Sequence, residues 1–159
     1  MAPCGGRGAM SELIIRPSRP ADIPTIVRFN IALAEESEDL HLDPATVEAG
    51  VRRMFSDPAL GRYLVAVSSE GERLGQLMIT TEWSDWRNCM MWWLQSVYTA
   101  PEHRGRGVFR LLCEHVLDDA REAGCRVRLY VERGNSRAIA AYRALGFDHC
   151  GYDVMEHAE

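Results

Sequence analysis

Arg104, Gly105, Arg106 and Gly107 are the residues of this chain whose types and spacing most directly invite a ligand. They follow an apolar run, Met90 to Tyr98, and precede a stretch with Val108, Leu112, Val116 and Ala120 on one helical stripe. The first-turn N–H groups of such a helix have no intrahelical partner and point outward with the positive end of its dipole. Glycine removes the Cβ atom that would hold an anion away, and arginine adds fixed charge, so a diphosphate fits there. An ordinary solvated turn is the competing reading of the same residues. The lysine and Ser/Thr of nucleotide-hydrolysing loops are absent, which disfavours NTP hydrolysis.

Two ordered signatures sharpen this. The turn resembles the acyl-CoA-binding motif of the GNAT superfamily of N-acetyltransferases, Q/R-x-x-G-x-G/A, with Arg104, Gly107 and Phe109 at the defined positions; Phe109 stands where a small residue is usual. Downstream, VRLYVERGNSRAIAAYRALGF, Val127 to Phe147, resembles the second half of the same signature: a strand, an Asn, a helix with a Tyr, then Leu-Gly-Phe. As motifs the resemblance covers Val97 to Phe147; as an order of strands and helices it covers Leu13 to about Tyr152.

The resemblance implies direct transfer of an acetyl group from acetyl-CoA, as cosubstrate, to an amine. It places the backbone N–H of Val97 at the thioester carbonyl, Thr99 beside the pantetheine, and Arg104, Gly105, Arg106, Gly107, Val108 and Phe109 around the diphosphate, with Asn135 as a further cofactor residue. A donor aimed at an acyl oxygen is worth roughly 3–4 kcal/mol in acyl transfer. The family role of Tyr142 is to protonate the departing thiolate. A phenol near ~10 against a thiol near ~8.5 stays protonated at neutral pH and can donate; the alternative is a half-buried core aromatic. Some family members use a central-strand Glu as base, but the matching stretch here offers Trp92, Trp93 and Gln95. Glu82 and Asp85 in the preceding loop are the remaining candidates, with solvated loop carboxylates as the other reading. Glu35 and Glu36, with Glu38 and Asp39, would attract a cationic amine or simply end a helix in solvent. Trp83 and Trp86, with Trp92 and Trp93, could line an acceptor pocket through cation–π contact or pack a core. His103 and His115 show no partner pattern and read as surface residues. Family members are commonly homodimers.

Positioning these groups requires a mixed α/β fold, which the resemblance specifies as a mostly antiparallel central sheet flanked by helices. Leu13 to Arg16 reads as a strand, then a helix from about Asp22 with Ile23, Ile26, Val27 and Ile31 on one stripe. Asp43 and Pro44 read as a cap and first-turn proline of a second helix with Val47, Val51 and Phe55 inward. Arg62 to Ser68 and Arg73 to Thr81 form a hairpin, Glu82 to Asn88 a loop, and Met90 to Tyr98 a strand covered on both faces. Then come the turn, its helix to Gly124, a strand from Arg126 to Glu132, a helix capped by Asn135 and stopped by Gly146, and a last strand from Phe147 to Val154.

Composition narrows the class. One domain over 11–159, after a leader 1–10 that is disordered or precedes a true start at Met10, suits a 159-residue chain that is 47% hydrophobic and 26% charged. The net charge of −5 argues against nucleic acid and favours a cationic partner such as a small-molecule amine. All 18 basic residues are arginine, so side-chain self-acetylation is impossible. Five scattered cysteines without C-x-x-C, and no histidine at ligand spacing, point to reduced thiols in the cytoplasm and to no metal. No apolar run is long enough to span a membrane. The expectation is an acetyl-CoA-dependent N-acetyltransferase of a small amine. A non-catalytic acyl-CoA-binding module or a protein N-acetyltransferase are the alternatives.

Overall fold

The computed structural model describes residues 13–157; the expected leader 1–10 lies outside them. Five strands lie in sequence order across one sheet: β1 (Ile14–Pro17), β2 (Arg62–Val67), β3 (Arg73–Ser84), β4 (Cys89–Thr99) and β5 (Arg126–Leu129). The first four are antiparallel and β5 runs parallel to β4. Helices α1 (Ile23–Glu38), α2 (Pro44–Ser56), α3 (Val108–Glu122) and α4 (Ser136–Ala144) complete the mixed, mostly antiparallel α/β fold expected from the sequence.

Strand β2 shows why the helices cover both faces. Tyr63 to Val67 are buried without interruption, and their alternate side chains point to opposite sides. Tyr63, Val65 and Val67 pack with Ile23, Ile26 and Val51 of α1 and α2. Leu64 and Ala66 join Val108, Leu112 and Val116 of α3 and Tyr142 of α4. The α3 stripe read from the sequence is the buried one. Asp43 caps α2 by accepting from the Thr46 amide at 2.9 Å, as its position before Pro44 predicts.

One feature lets α3 onto the sheet, and a second ties the start of α1 to β1 and β3. A Cβ at Gly75 would meet the Tyr98 carbonyl oxygen at 2.7 Å and Val108 Cγ1 at 3.1 Å, so only glycine permits the approach of α3 to β3 and β4. Beside it, fully buried Asp22 accepts hydrogen bonds from Arg16 at 2.7 and 3.1 Å, from Arg73 Nε at 2.8 Å and from the Arg19 amide at 2.7 Å. Burial alone would raise this carboxyl, but the donors outweigh it and hold its pKa at about 2.

The structure departs from the sequence reading in four places, the smallest being that the strand expected from Arg126 to Glu132 ends at Leu129. No strand forms over 147–154: Gly151 takes a left-handed φ of 77° and the segment beyond Phe147 is exposed, so a sixth strand would bury no face. The tail is instead held beside β5 by the Arg133–Asp153 pair at 3.2 Å and by Arg128 over the Tyr152 ring. β3 extends to Ser84, so Glu82 and Trp83 are strand residues paired with Met91 and Met90 rather than loop residues. His103, expected on the surface, is buried beneath the turn that precedes α3.

Candidate active site

Strand β4 is irregular where it approaches α3. Gln76 pairs with Tyr98 and Met78 with Gln95, so Leu77 faces both Ser96 and Val97, neither of which has a register partner on β3. Ser96 adopts a φ of 49°, unusual for a residue other than glycine. Such a bulge leaves its extra residue outside the ladder and bends the strand. The parallel pairing of β4 with β5 also stops at Leu94 and Leu129. Beyond that point the strands part, and Ser96 and Val97 line the space between α1 and the sheet.

A buried polar network braces the bulge from below. Fully buried Gln76 donates from Nε2 to Asn30 Oδ1 at 2.7 Å and to the Ser96 carbonyl at 3.5 Å. Asn30 in turn donates to the Tyr63 hydroxyl at 3.0 Å. Burial raises the Tyr63 pKa despite its bonds to Asn30 and Ser96, so the phenol stays neutral.

Two cavities open from the gap. One, of about 530 Å³, runs along Thr99, Gly105, Gly107 and Phe109 to the N-terminus of α3. The other, of about 630 Å³, lies between the bulge and helices α1 and α2. They meet at Leu33, Ser37, Val97, Asn135, Ala138 and Tyr142.

In the first cavity Gly105 and Gly107 have φ of 74° and 83°, and a Cβ on either would project into open space. Gly107 is the N-cap of α3 and has no side chain to occupy the helix's first amides. This concave run of main-chain donors fits a diphosphate. Arg104 lines this cavity and is also engaged within the protein. Its guanidinium donates to the Thr99 carbonyl at 3.0 Å and Glu36 Oε2 at 2.6 Å, over the Tyr98 ring. Glu36 also accepts from the Tyr98 hydroxyl at 2.7 Å, so it ties the end of α1 to β4 in the wall of this cavity. Burial would raise the Glu36 carboxyl, but those two bonds and the Arg104 charge bring it below its usual range. Burial and the Glu36 bond push the Tyr98 phenol up to about 12. Arg106 does not line the cavity, whereas Arg110 and Arg137 do. Neither was singled out in the sequence, because their bearing on the cavity depends on how α3 and α4 converge.

Tyr142 lines both cavities from α4. Phe109 meets its ring edge-on at 5.2 Å and Phe147 at 5.7 Å. The unusual phenylalanine of the glycine turn therefore packs directly on the tyrosine. Burial, with Cys113 adding a smaller effect, raises the Tyr142 pKa well above that of a free phenol, so its hydroxyl carries its proton at any physiological pH. Asn135 caps α4 by accepting from the Ala138 amide at 3.0 Å.

The second cavity is walled largely by apolar side chains, with Glu38 and Glu132 as its carboxylates. Glu38 belongs to the acidic run read from the sequence; Glu132 was missed, because its position depends on β5 separating from β4. Glu35 lies outside both cavities, 3.9 Å from His41. Glu82, Trp83, Asp85 and Trp86 are not brought to either cavity. Glu82 accepts from Trp93 Nε1 at 2.7 Å, and Trp83 and Trp86 are 56% and 85% exposed.

A glycine-lined helix start, a bulged strand and a protonated phenol thus line two connected cavities. The model of the acetyltransferase (GNAT) family matches residues 28–147. This chain belongs to the GNAT family. It is 37% identical over 98 residues to streptothricin acetyltransferase of Streptomyces lavendulae, a match that covers 61% of this chain but only half of that relative. It is 29% identical over 145 residues to thialysine N-epsilon-acetyltransferase of Bos taurus, covering 86% of this chain and 85% of the relative. Among solved structures, a possible acetyltransferase from Clostridium difficile 630 superposes with a TM-score of 0.87 at 36% identity, covering 92% and 97% of the two chains. The protein is an acetyltransferase of the GNAT type. Among the described residues no helix is long and apolar enough to cross a membrane.

Proposed function

We propose that this GNAT acetyltransferase moves the acetyl group of acetyl-CoA onto the amine of a small molecule. The meeting of the two cavities at Val97 and Tyr142 carries the reading, because it gives two reactants separate entrances and one point of contact. The cosubstrate supplies an acetyl thioester. The main chain from Gly105 to Phe109 holds its diphosphate, with Arg110 and Arg137 adding charge and Thr99 beside the pantetheine. The Val97 N–H, outside the sheet ladder, donates to the acyl oxygen. Tyr142 holds a proton at its hydroxyl for the departing thiolate.

The amine enters the larger cavity, whose volume suits a small organic acceptor. Glu38 and Glu132 draw an ammonium group in and take up its proton through water, the task for which Glu82 and Asp85 were the candidates in the sequence. Relatives named for streptothricin, thialysine and L-methionine sulfoximine support a small acceptor. Cys89, Cys113, Cys125 and Cys150 are free thiols, which supports a reducing compartment such as the cytoplasm.

The test is thiol release from acetyl-CoA across a panel of small amines and peptides. Release with one or more small amines, reduced at least tenfold by Glu132→Gln, is expected. Calorimetric binding of CoA without release for any amine would overturn transfer, and release with peptides alone would overturn the small acceptor.

A further inference from the structure

A second cluster of chemistry-bearing side chains lies where the β2–β3 turn meets the segment entering the cofactor turn, and its histidine also borders the first cavity. The turn joining β2 to β3 carries Glu72, and the short helical turn Pro101–His103 carries Glu102 and His103. One ligand atom from each of the three lies within 4.8 Å of the others. His103 is 8% exposed, and its Nε2 has no hydrogen-bond partner. That atom nevertheless faces Glu72 Oε1 at 3.3 Å and Glu102 Oε1 at 4.0 Å. The Glu72 separation is that of an ion pair, but its direction does not make a hydrogen bond. A buried imidazole nitrogen turned towards two carboxylates without bonding either lacks compensation for its lost water.

A metal ion resolves that geometry. Around a tetrahedral centre with bonds of 2.0–2.2 Å, neighbouring ligand atoms stand about 3.3–3.6 Å apart. The His103–Glu72 distance falls at that edge length, and the exposed Glu102 carboxylate can close the remainder by a side-chain rotation. The surroundings leave both carboxylates available. Arg73, next in sequence to Glu72, is taken up by Asp22 and the Gly71 carbonyl, and Arg104 by Glu36. Among the described residues no arginine pairs with Glu72 or Glu102. The supporting backbone is already ordered: Ser68 Oγ accepts from the Glu70 and Glu72 amides at 3.2 Å each, and the His103 amide donates to the Ala100 carbonyl at 2.9 Å.

We propose that Glu72, Glu102 and His103 bind a divalent transition-metal ion, with zinc the best match to one imidazole and two carboxylates, in a site that pins the β2–β3 turn to the segment entering the cofactor turn. An imidazole ligand selects zinc, nickel or copper over magnesium and calcium. Three protein ligands leave a fourth position for water. This site goes beyond acetyl transfer, and neither reading requires the other.

Chelator-treated full-length protein titrated with zinc chloride, followed by calorimetry and thermal melting, tests the proposal. One saturable equivalent, a melting temperature raised by several degrees, and no response to magnesium chloride are expected. Glu72→Gln and Glu102→Gln should each weaken zinc at least tenfold and His103→Ala should abolish it. The two glutamates are exposed, so their variants keep the fold even where loss of the buried imidazole does not. Absence of saturable zinc binding overturns the site. So does unchanged affinity in both glutamine variants, which would place zinc elsewhere, and so does melting that responds to pH but not to zinc, which would mark a plain ion pair.

Discussion

The β3–β4 hairpin carries two clusters of functional-looking residues at its opposite ends, and they have opposite fates. At the open end, Arg73 to Gln76 run beside Ser96 to Thr99, with a bulge, a buried ion-pair cluster and a close helix contact. At the turn end, Glu82, Trp83, Asp85 and Trp86 offer the more obvious chemistry, carboxylates beside indoles, yet line neither cavity. From Gln76 to Ser84 the strand spans about 26 Å at ~3.3 Å per residue. The contrast teaches that here the site follows backbone irregularity rather than side-chain type. Where the ladder is complete, reactive side chains remain on the surface. Where it is broken, main-chain donors and a cleft appear together.

The first way to break this contrast is through the buried anchor of the open end. Asp22→Asn leaves Arg16 and Arg73 facing a neutral partner, and loss of one member of a buried pair costs about 3–5 kcal/mol. The expected result is a large fall in the urea midpoint. The wild-type group also predicts a pH window. Because its folded pKa is depressed from 3.8 to about 2, its contribution is present above pH ~4 and is lost as pH falls through the folded value. That loss amounts to about 2 kcal/mol. Denaturation at pH 5 and pH 2 should show this increment in wild type and its absence in the variant.

Tyr142→Phe comes next. The ring keeps its contacts with Phe109 and Phe147, so stability and CoA affinity should hold while kcat falls roughly 100-fold, as for loss of a general acid. Since burial raises the Tyr142 pKa, wild-type kcat should show no alkaline decline from this group below pH ~10. An alkaline limb near pH 8 that vanishes in the variant would instead mark Tyr142 as a base.

How much of this was legible in the sequence follows from the kind of signal each part leaves. Asp43-Pro44, Asn135 and the stripe of Val108, Leu112, Val116 and Ala120 announce helix starts and buried faces through local rules, and the structure places them so. Gly105 and Gly107 are readable because a left-handed φ favours glycine. The bulge is not readable: Ser96 and Val97 look like any strand residues, and their exit from the ladder depends on the count of residues opposite Leu77. Glu132 was missed for a related reason, since it reaches a cavity only because β5 leaves β4 after Leu129. His103 looked solvent-exposed because nothing local shows that the β2–β3 turn packs near it. Phe147 to Val154 read as a strand on residue alternation alone, but an edge strand forms only where one face is covered.

Gln76→Leu tests the bracing of the bulge. The substitution leaves Asn30 Oδ1 without its donor, but Gln76 Oε1 is itself a buried atom without a partner, so its removal returns part of the loss. The net destabilisation should lie near ~1 kcal/mol, the low end for a broken buried hydrogen bond. Turnover should fall several-fold with CoA affinity retained, because the cradle at α3 stands apart from this network. A fall in CoA affinity as large as that in kcat would mean that the bulge and the cradle move as one unit.

The smallest effects belong to the turn end of the hairpin. Glu82→Gln keeps an acceptor for Trp93 Nε1, which now meets Oε2 at 2.7 Å, and Trp86→Ala removes a ring that is 85% exposed. Surface changes of this kind lie within about 0.5 kcal/mol in stability. Both variants should turn over within about twofold of wild type, because a change worth less than ~0.5 kcal/mol at the barrier alters a rate by little more than that. The alkaline side of the Glu82→Gln rate profile should also be unmoved, since Glu82 lies four residues past Met78, about 13 Å along β3 from the cavity wall. A tenfold fall in kcat/KM for either variant, with the fold intact, would show that acceptors reach across Trp93 and Tyr130, whose stacked rings at 4.5 Å join this surface to the cavity rim. The two ends of the hairpin would then form one extended acceptor site.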